Sequence, residues 1–479
     1  MHTNINSKKN LISIFTFFII LCILFDLIPL FKAEAITFTP PFDINSESAV
    51  LINLDTNSVV FEKNPDKQQM PAQLTNIMTA IICLENCQDI KNTKITADNE
   101  LYGDIYRYEY PNDIRYGDIY NGDVLTVEDL LYAMMLASSA EAANILAYEI
   151  GGGSIQNFVK MMNEKALEIG ATNTVFTNAH GLYDINQVTT ANDMAKITQY
   201  ALKIPSFEQI ATTQIYRPSI PNLENNHNES WYWTHSNIMM SKGDYYYEGV
   251  RGIKTGNLEI SGRNLITMAS ANGSKYLVIL LKAPLYDENG KSRFYHLEDA
   301  KNLFDWAFEN IEYKTIVNAT EELGEVYVKF GSGDNDYVLV KPAEEYNTLW
   351  LNTISLTSIQ KDINLEKNIV APVEEGQKLG TLDLKLSGES ICTIDLVAVS
   401  SVERSSTKFN IEVAKQFKNS KWLKRGLIFS FILTLIYIII CIYAYRVIVK
   451  RKPVRGVYTK NKSLGIDIGS KKRKKRRRK

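Results

Sequence analysis

Residues Pro71–Ala80 read PAQLTNIMTA, and the segment runs on as IICLE to Glu85. Between Gln73 and Glu85 the apolar side chains Ile77, Met78, Ala80, Ile81 and Leu84 recur at helical spacing, which predicts a helix with one buried face. Pro71–Ala80 contains no serine, cysteine or lysine, and up to Glu85 the one thiol is Cys83, ten residues beyond Gln73. Just before it, SAVLINLDTNSVVFEKN (Ser48–Asn64) alternates apolar and polar residues around Asp55-Thr56-Asn57-Ser58, the pattern of a β-hairpin. After it come amphipathic helices. Thr126 caps VEDLLYAMMLAS, with Glu128 and Asp129 in the first turn, where negative charge favours a helix start. SAEAANILAYEIGG, SIQNFVKMMNEKALEIGA and TTANDMAKITQYALKI follow. GRNLITMASANGSKYLVILLKAP (Gly262–Pro284) is two apolar strands joined across Asn272-Gly273, and LEDAKNLFDWAFENI is a closing helix. A strand pair, several helices and then strands again predict an α+β domain over 36–315, its antiparallel sheet formed from both ends and its helices packed on that sheet.

From about Glu321 the texture changes. GEVYVKFG, DYVLVKPA, TISLTSIQ, KLGTLDLKL and ICTIDLVAVS are short alternating runs, which predict an all-β sandwich over 320–402 and a polar linker over 403–425. Gly426–Val449 carries a single charge, Arg446, and is long enough for a transmembrane helix. The tail 450–479 holds 15 Lys/Arg against one acid, Asp467, so the positive-inside rule places it in the cytoplasm and the preceding residues outside. At the other end, Lys8 and Lys9 precede an apolar run and an A-x-A stop at Ala33 and Ala35, the form of a signal peptide over 1–35. An uncleaved anchor is the competing reading, since the apolar run is long.

The formal net charge of −1 conceals an acidic outer part and a basic tail. An acidic ectodomain gives no reason to expect nucleic-acid binding, and a cationic run beside a membrane holds anionic lipid. The five cysteines form no CxxC and no Cys/His cluster, so neither a metal site nor a cofactor is expected, and Cys83 and Cys87 are spaced too tightly for a relaxed disulfide. Residues 101–121, LYGDIYRYEYPNDIRYGDIYN, contain the pentapeptide YGDIY twice and predict an exposed loop or long hairpin. Tyrosine there offers either a binding surface or a duplicated surface insertion.

Four segments carry a resemblance. Pro71–Ala80 is similar to P-A-S-L-T-K-I-M-T-A; LASSAEAAN contains Ser138; GVRGIKTGNLEISG contains Lys254, Thr255 and Gly256; and NAHGL runs from Asn178 to Leu182. The chain thereby resembles the D-alanyl-D-alanine carboxypeptidases, the low-molecular-mass penicillin-binding proteins, and NIVAPVEEGQKLGTLDL resembles the β-sandwich that follows in that family. The resemblance implies a β-lactamase/D,D-peptidase-like fold and three motifs. S-x-x-K supplies a serine nucleophile and a lysine base, S-x-N a hydroxyl relay and a substrate amide, and K-T-G an electropositive floor and a carboxylate contact.

This chain departs from the pattern where bonds would be made. Gln73 stands at the nucleophile position, Asn76 at the base position and Ala140 at the asparagine of the second motif, whereas Ser138 and the substrate-binding Lys254, Thr255 and Gly256 are retained. An amide is neither acylated like serine nor basic near neutral pH. Thr75 lies about 200° around the helix from residue 73 and points away. His180 is assigned a structural role. The expectation is a membrane-anchored serine-type peptidase relative with no intact catalytic set, binding a peptidoglycan stem peptide or a cell-wall protein at a bacterial surface. The alternatives are an active carboxypeptidase using Ser138 with Lys254, and a sensor or scaffold signalling through the basic tail.

Overall fold

The computed structural model describes residues 37–219, 227, 231–332 and 336–450. The proposed signal peptide and the basic tail beyond Lys450 lie outside the described residues.

The first sheet is antiparallel. Its strands are β1 (Ser48–Asn53), β2 (Ser58–Lys63), β3 (Val250–Leu258), β4 (Gly262–Ala271) and β5 (Ser274–Ala283), in the spatial order β2-β1-β5-β4-β3. Both ends of the segment thus contribute, and β1 pairs with β5 from Ser48↔Leu281 to Asn53↔Tyr276. Every residue of β1 is buried, whereas edge strand β2 is buried only at Val60 and Phe61. The alternation expected of the hairpin therefore appears in neither strand: β1 is covered on both faces, and in β2 the two buried residues are adjacent. Val50 and Ile52 of β1, with Leu277, Ile279 and Leu281 of β5, join one apolar cluster. Ala49 and Leu51, with Tyr276, Val278 and Leu280, join another. A period of two sends successive side chains to opposite faces.

The first cluster is roofed by α1 (Asn76–Asn86), α2 (Val127–Ala137), α3 (Ala140–Ile150), α4 (Ile155–Ile169) and α5 (Ala191–Ala201). The second is covered by α6 (Tyr295–Asn310) through Leu297, Ala300, Leu303 and Phe304. Thr126 and Asp129 form a reciprocal capping box that starts α2. Residues 101–121 form no hairpin. They take short helical turns at Asn99–Tyr102, Gly103–Tyr106 and Pro111–Asp113, since Tyr102, Ile105, Ile114 and Ile119 are drawn into the core. Tyr106, Tyr116 and Tyr120 stay exposed.

Beyond α6, β6 (Ile311–Val317) pairs with β7 (Tyr346–Leu351). The sequence reading missed both strands. Strand β8 (Ile359–Leu365), β9 (Lys378–Leu386) and β10 (Glu389–Ala398) pair antiparallel in that order. TISLTSIQ was expected to be a strand, but it is a turn with a 3-10 segment at Leu356–Ser358, and β8 begins only at Ile359. All of this belongs to one compact unit, which takes residues up to 326 together with 339–367 and 375–399.

A second unit takes residues 327–338, 368–374 and the chain from 400 onward. Within it Val328 and Lys329 pair in parallel with Ile369 and Val370. The segment expected as a polar linker is a helix, α7 (Ser406–Asn419), whose Phe409 packs edge-on against Phe330. Helix α8 (Lys421–Lys450) has a mean hydropathy of 2.7 over its most apolar window and is long enough to cross a membrane.

Candidate active site

A short 3-10 turn, Ala72–Thr75, leads into α1 and fixes residue 73. Ala72 has φ +50°, a left-handed conformation that a side chain disfavours. Two close approaches hold the turn. A Cβ on Gly181 would sit 2.3 Å from the Ala72 carbonyl oxygen, and one on Gly256 would sit 3.2 Å from the Gln73 nitrogen. Glycine is required at 181, where φ is +81°, whereas at 256 a side chain would push its neighbours by a few tenths of an ångström.

Gln73 is buried here, and its Oε1 accepts a hydrogen bond from the Asn257 backbone N–H of β3 at 2.8 Å. Asn76 is also fully buried. Its Nδ2 donates to the Ala179 carbonyl at 3.2 Å and reaches the His180 carbonyl at 3.5 Å, while its Oδ1 has no partner among the described residues. The two amides therefore turn to different neighbours. Thr75 donates its hydroxyl to the Ala72 carbonyl at 2.8 Å and Thr79 to the Ala179 carbonyl at 2.7 Å, so both hydroxyls are engaged by backbone.

Ser138 caps α2 with φ +61°, a second left-handed non-glycine residue beside the cleft. That conformation aims its Oγ at Lys254, whose Nζ donates to it. Lys254 lies within β3 and is completely buried, and loss of solvation lowers its ammonium to about 7. Near neutral pH it is divided between an anion-attracting cation and a neutral amine. Thr255 and Ser236 share a hydroxyl–hydroxyl hydrogen bond of 2.6 Å. Next to Ser236, His235 is buried, its Nε2 meeting the Ala211 carbonyl at 3.1 Å. Burial and the nearby Lys254 push its imidazole down to about 4. Asn237 then donates to the Gly252 carbonyl at 2.7 Å and ties this loop to β3.

The cleft has a volume of about 340 Å³, and Gln73, Ser138, Thr255 and Gly256 lie on its wall. Ala140 does not. It is buried as the first residue of α3, its N–H on the Arg115 carbonyl at 3.0 Å. His180 is buried behind the site, with Nε2 3.1 Å from Asp104 and Nδ1 accepting the Leu182 N–H. The sequence reading missed Arg115, Ser236, Asn257, Arg263 and His296, all of which line the cleft. Arg263 lies 4.3 Å over the Phe294 ring. The Nε of Arg263 and the Nδ1 of His296 have no partner among the described residues. Burial, with the charge of Arg263 beside it, pushes His296 down to about 3.

An antiparallel sheet with a K-T-G edge strand, a serine-bearing α2 terminus and a pinched helix start defines a D,D-peptidase frame. Residues 34–284 match the family model described as D-alanyl-D-alanine carboxypeptidase, and residues 312–404 match that of the penicillin-binding protein 5 C-terminal domain. The chain belongs to the D-alanyl-D-alanine carboxypeptidase family. It is 27% identical over 362 residues to D-alanyl-D-alanine carboxypeptidase DacF of Bacillus subtilis, covering 75% of this chain and 86% of that protein. With DacA of Haemophilus influenzae it shares 27% identity over 378 residues, covering 78% and 89%. Among solved structures it is similar to penicillin-binding protein 5 from Haemophilus influenzae (TM-score 0.53, 24% identity, covering 77% of this chain and 100% of that one). It is likewise similar to DacD from Francisella tularensis (TM-score 0.57, 21% identity, covering 77% and 96%). At those identities the structural likeness speaks for the fold alone.

Proposed function

We propose that this protein is a membrane-anchored D-alanyl-D-alanine carboxypeptidase homologue that acts in peptidoglycan biology by binding rather than hydrolysis. Its ligand is a stem peptide or a cell-wall partner. One observation carries this reading: the nucleophile and base positions hold carboxamides, each buried and hydrogen-bonded into the scaffold. No proton transfer between an amide at 73 and an amide at 76 generates a nucleophile. The binding side persists, because Thr255 and Ser236 still present two hydroxyls in the cleft and the buried Lys254 stands behind its wall against Ser138, a set suited to a terminal carboxylate. In this reading α8 crosses the membrane, the acidic part lies outside, and the basic tail lies on anionic lipid in the cytoplasm.

A second reading has a specific observation in its favour. Ser138 receives a hydrogen bond from a lysine whose charge is destabilised by burial, the arrangement of a Ser–Lys dyad. Labelled penicillin separates the two readings. Incubation with the full-length chain in detergent is expected to leave no covalent label after denaturing electrophoresis. A label that disappears in Ser138→Ala would replace the binding reading with a relocated nucleophile.

A further inference from the structure

Glutamine and an acylated serine share one covalent path. From Cβ, each continues through one atom to a carbonyl carbon that bears an oxygen and one further atom. In glutamine these are Cγ, Cδ, Oε1 and Nε2. In the ester made on a serine they are Oγ, the acyl carbon, its carbonyl oxygen and the next acyl atom.

At residue 73 the match extends to space. Gln73 Oε1 sits 2.8 Å from the Asn257 N–H, a fixed backbone donor of the edge strand on the cleft wall. A fixed N–H beside the nucleophile position is the group that receives a carbonyl oxygen during acyl transfer. Gly181 and Gly256 close on the backbone at Ala72 and Gln73 from two directions, which fixes where the Gln73 side chain leaves the turn. Its Nε2 is 3.5 Å from the Asp113 carbonyl, so that end is loosely held and Oε1 makes the firm contact.

The groups left open in the cleft are of another kind. The Ser236–Thr255 hydroxyls on its wall have donor and acceptor capacity beyond each other, and the guanidinium of Arg263 lines the same cleft. These suit an anion, not a carbonyl.

We infer that Gln73 is a permanent isostere of an acylated serine, which fills the carbonyl position itself, so that the cleft engages a ligand through its carboxylate and resists any ligand that must lodge a carbonyl on the Asn257 N–H. The inference deepens the binding reading and names the ligand feature that the site selects against.

The test is calorimetric, on the full-length chain in detergent, with three probes: N-acetyl-D-Ala-D-Ala, benzylpenicillin and D-alanine. Gln73→Ala, and separately Gln73→Ser, free the Asn257 N–H while Asn76 still withholds a base. Both variants are expected to bind the dipeptide and penicillin at least tenfold more tightly than the unaltered chain, with the affinity for D-alanine unchanged. Amide exchange at Asn257 is expected to accelerate in both. Equal or weaker dipeptide and penicillin binding in the variants overturns the isostere, whatever the unaltered chain does. Dipeptide binding by the variants but not by the unaltered chain upholds the isostere and removes the stem-peptide reading. Equal binding by all three forms removes the isostere and leaves the stem-peptide reading standing.

Discussion

Lys254 and Asn76 are both fully buried polar side chains of the same site, and they are held in opposite ways. Lys254 on β3 is kept against the Ser138 hydroxyl, its charge disfavoured by burial. Asn76 on α1 has turned to backbone carbonyls and behaves as scaffold. One wall retains an arrangement that works against stability, as sites do when they bind or react. The other serves as packing and keeps the strained turn at Ala72. The amide-bearing wall thus keeps its shape as firmly as the lysine-bearing one.

The hardest test of that contrast is to rebuild the missing wall. Gln73→Ser with Asn76→Lys and Ala140→Asn places a hydroxyl on the cleft wall, an amine at the start of α1 and an amide at the start of α3. Losing a serine nucleophile lowers turnover by roughly 10⁶, and further losses in the same set add little. The triple variant is thus expected to gain covalent penicillin labelling and to release D-alanine at least about 10³-fold above the unaltered chain. Absence of any label in a folded triple variant would mean that the frame has drifted.

The second test addresses the retained wall. Lys254 in the folded chain titrates at about 7, below its ordinary 10.5. Between those values the unfolded chain binds a proton that the folded chain does not, so stability rises with pH across that window. The full penalty applies below pH 7. At about 1.4 kcal/mol for each tenfold change in proton affinity, the rise attributable to Lys254 is on the order of 3–5 kcal/mol. Lys254→Met is expected to remove that rise, measured as the difference between the two chains in urea unfolding at pH 6.5 and pH 10. Parallel pH profiles for the two chains would show that the ammonium is not desolvated, and the contrast with Asn76 would fail.

How much of this was legible in sequence follows from the range of each interaction. The helix at Pro71, the Thr126 cap and the Asn272-Gly273 hairpin are local, and their residues declare them. Gln73, Asn76, Ala140 and Lys254 could be placed because motif spacing travels with the chain. Ser236, Arg263 and His296 come from three separate segments, and no local pattern marks them as neighbours. Their only sequence signal is a hydroxyl, a cation and an imidazole within about 45 residues of Lys254. The contact from Asn257 to Gln73 spans 184 residues and depends on a single side-chain conformation, which spacing does not encode. The strand at Tyr346–Leu351 was missed because its partner, Ile311–Val317, directly follows a helix and reads as its tail. The tyrosine-rich segment failed as a hairpin because its apolar residues match core positions instead of a pleat.

The smallest effect falls on Asn76, and it sharpens the comparison by its smallness. The Nδ2 of Asn76 satisfies the Ala179 carbonyl, but Thr79 already donates to that oxygen at 2.7 Å. Removing the amide leaves no backbone acceptor stranded at Ala179, and it removes a buried Oδ1 that has no partner among the described residues. A lost net hydrogen bond is worth about 1 kcal/mol, and relief of an unpaired buried polar atom offsets it by a similar amount. Asn76→Leu keeps the branching and heavy-atom count of asparagine but is bulkier, so crowding is its main cost, and it is expected to change unfolding free energy by only about 1 kcal/mol. Thr79→Val provides the contrast, since it leaves the same carbonyl only the longer 3.2 Å bond from Asn76, and it is expected to destabilise more than Asn76→Leu does. A loss from Asn76→Leu exceeding that from Thr79→Val would show that the base position still carries a strict structural demand. The two walls of the site would then differ less than their contacts imply.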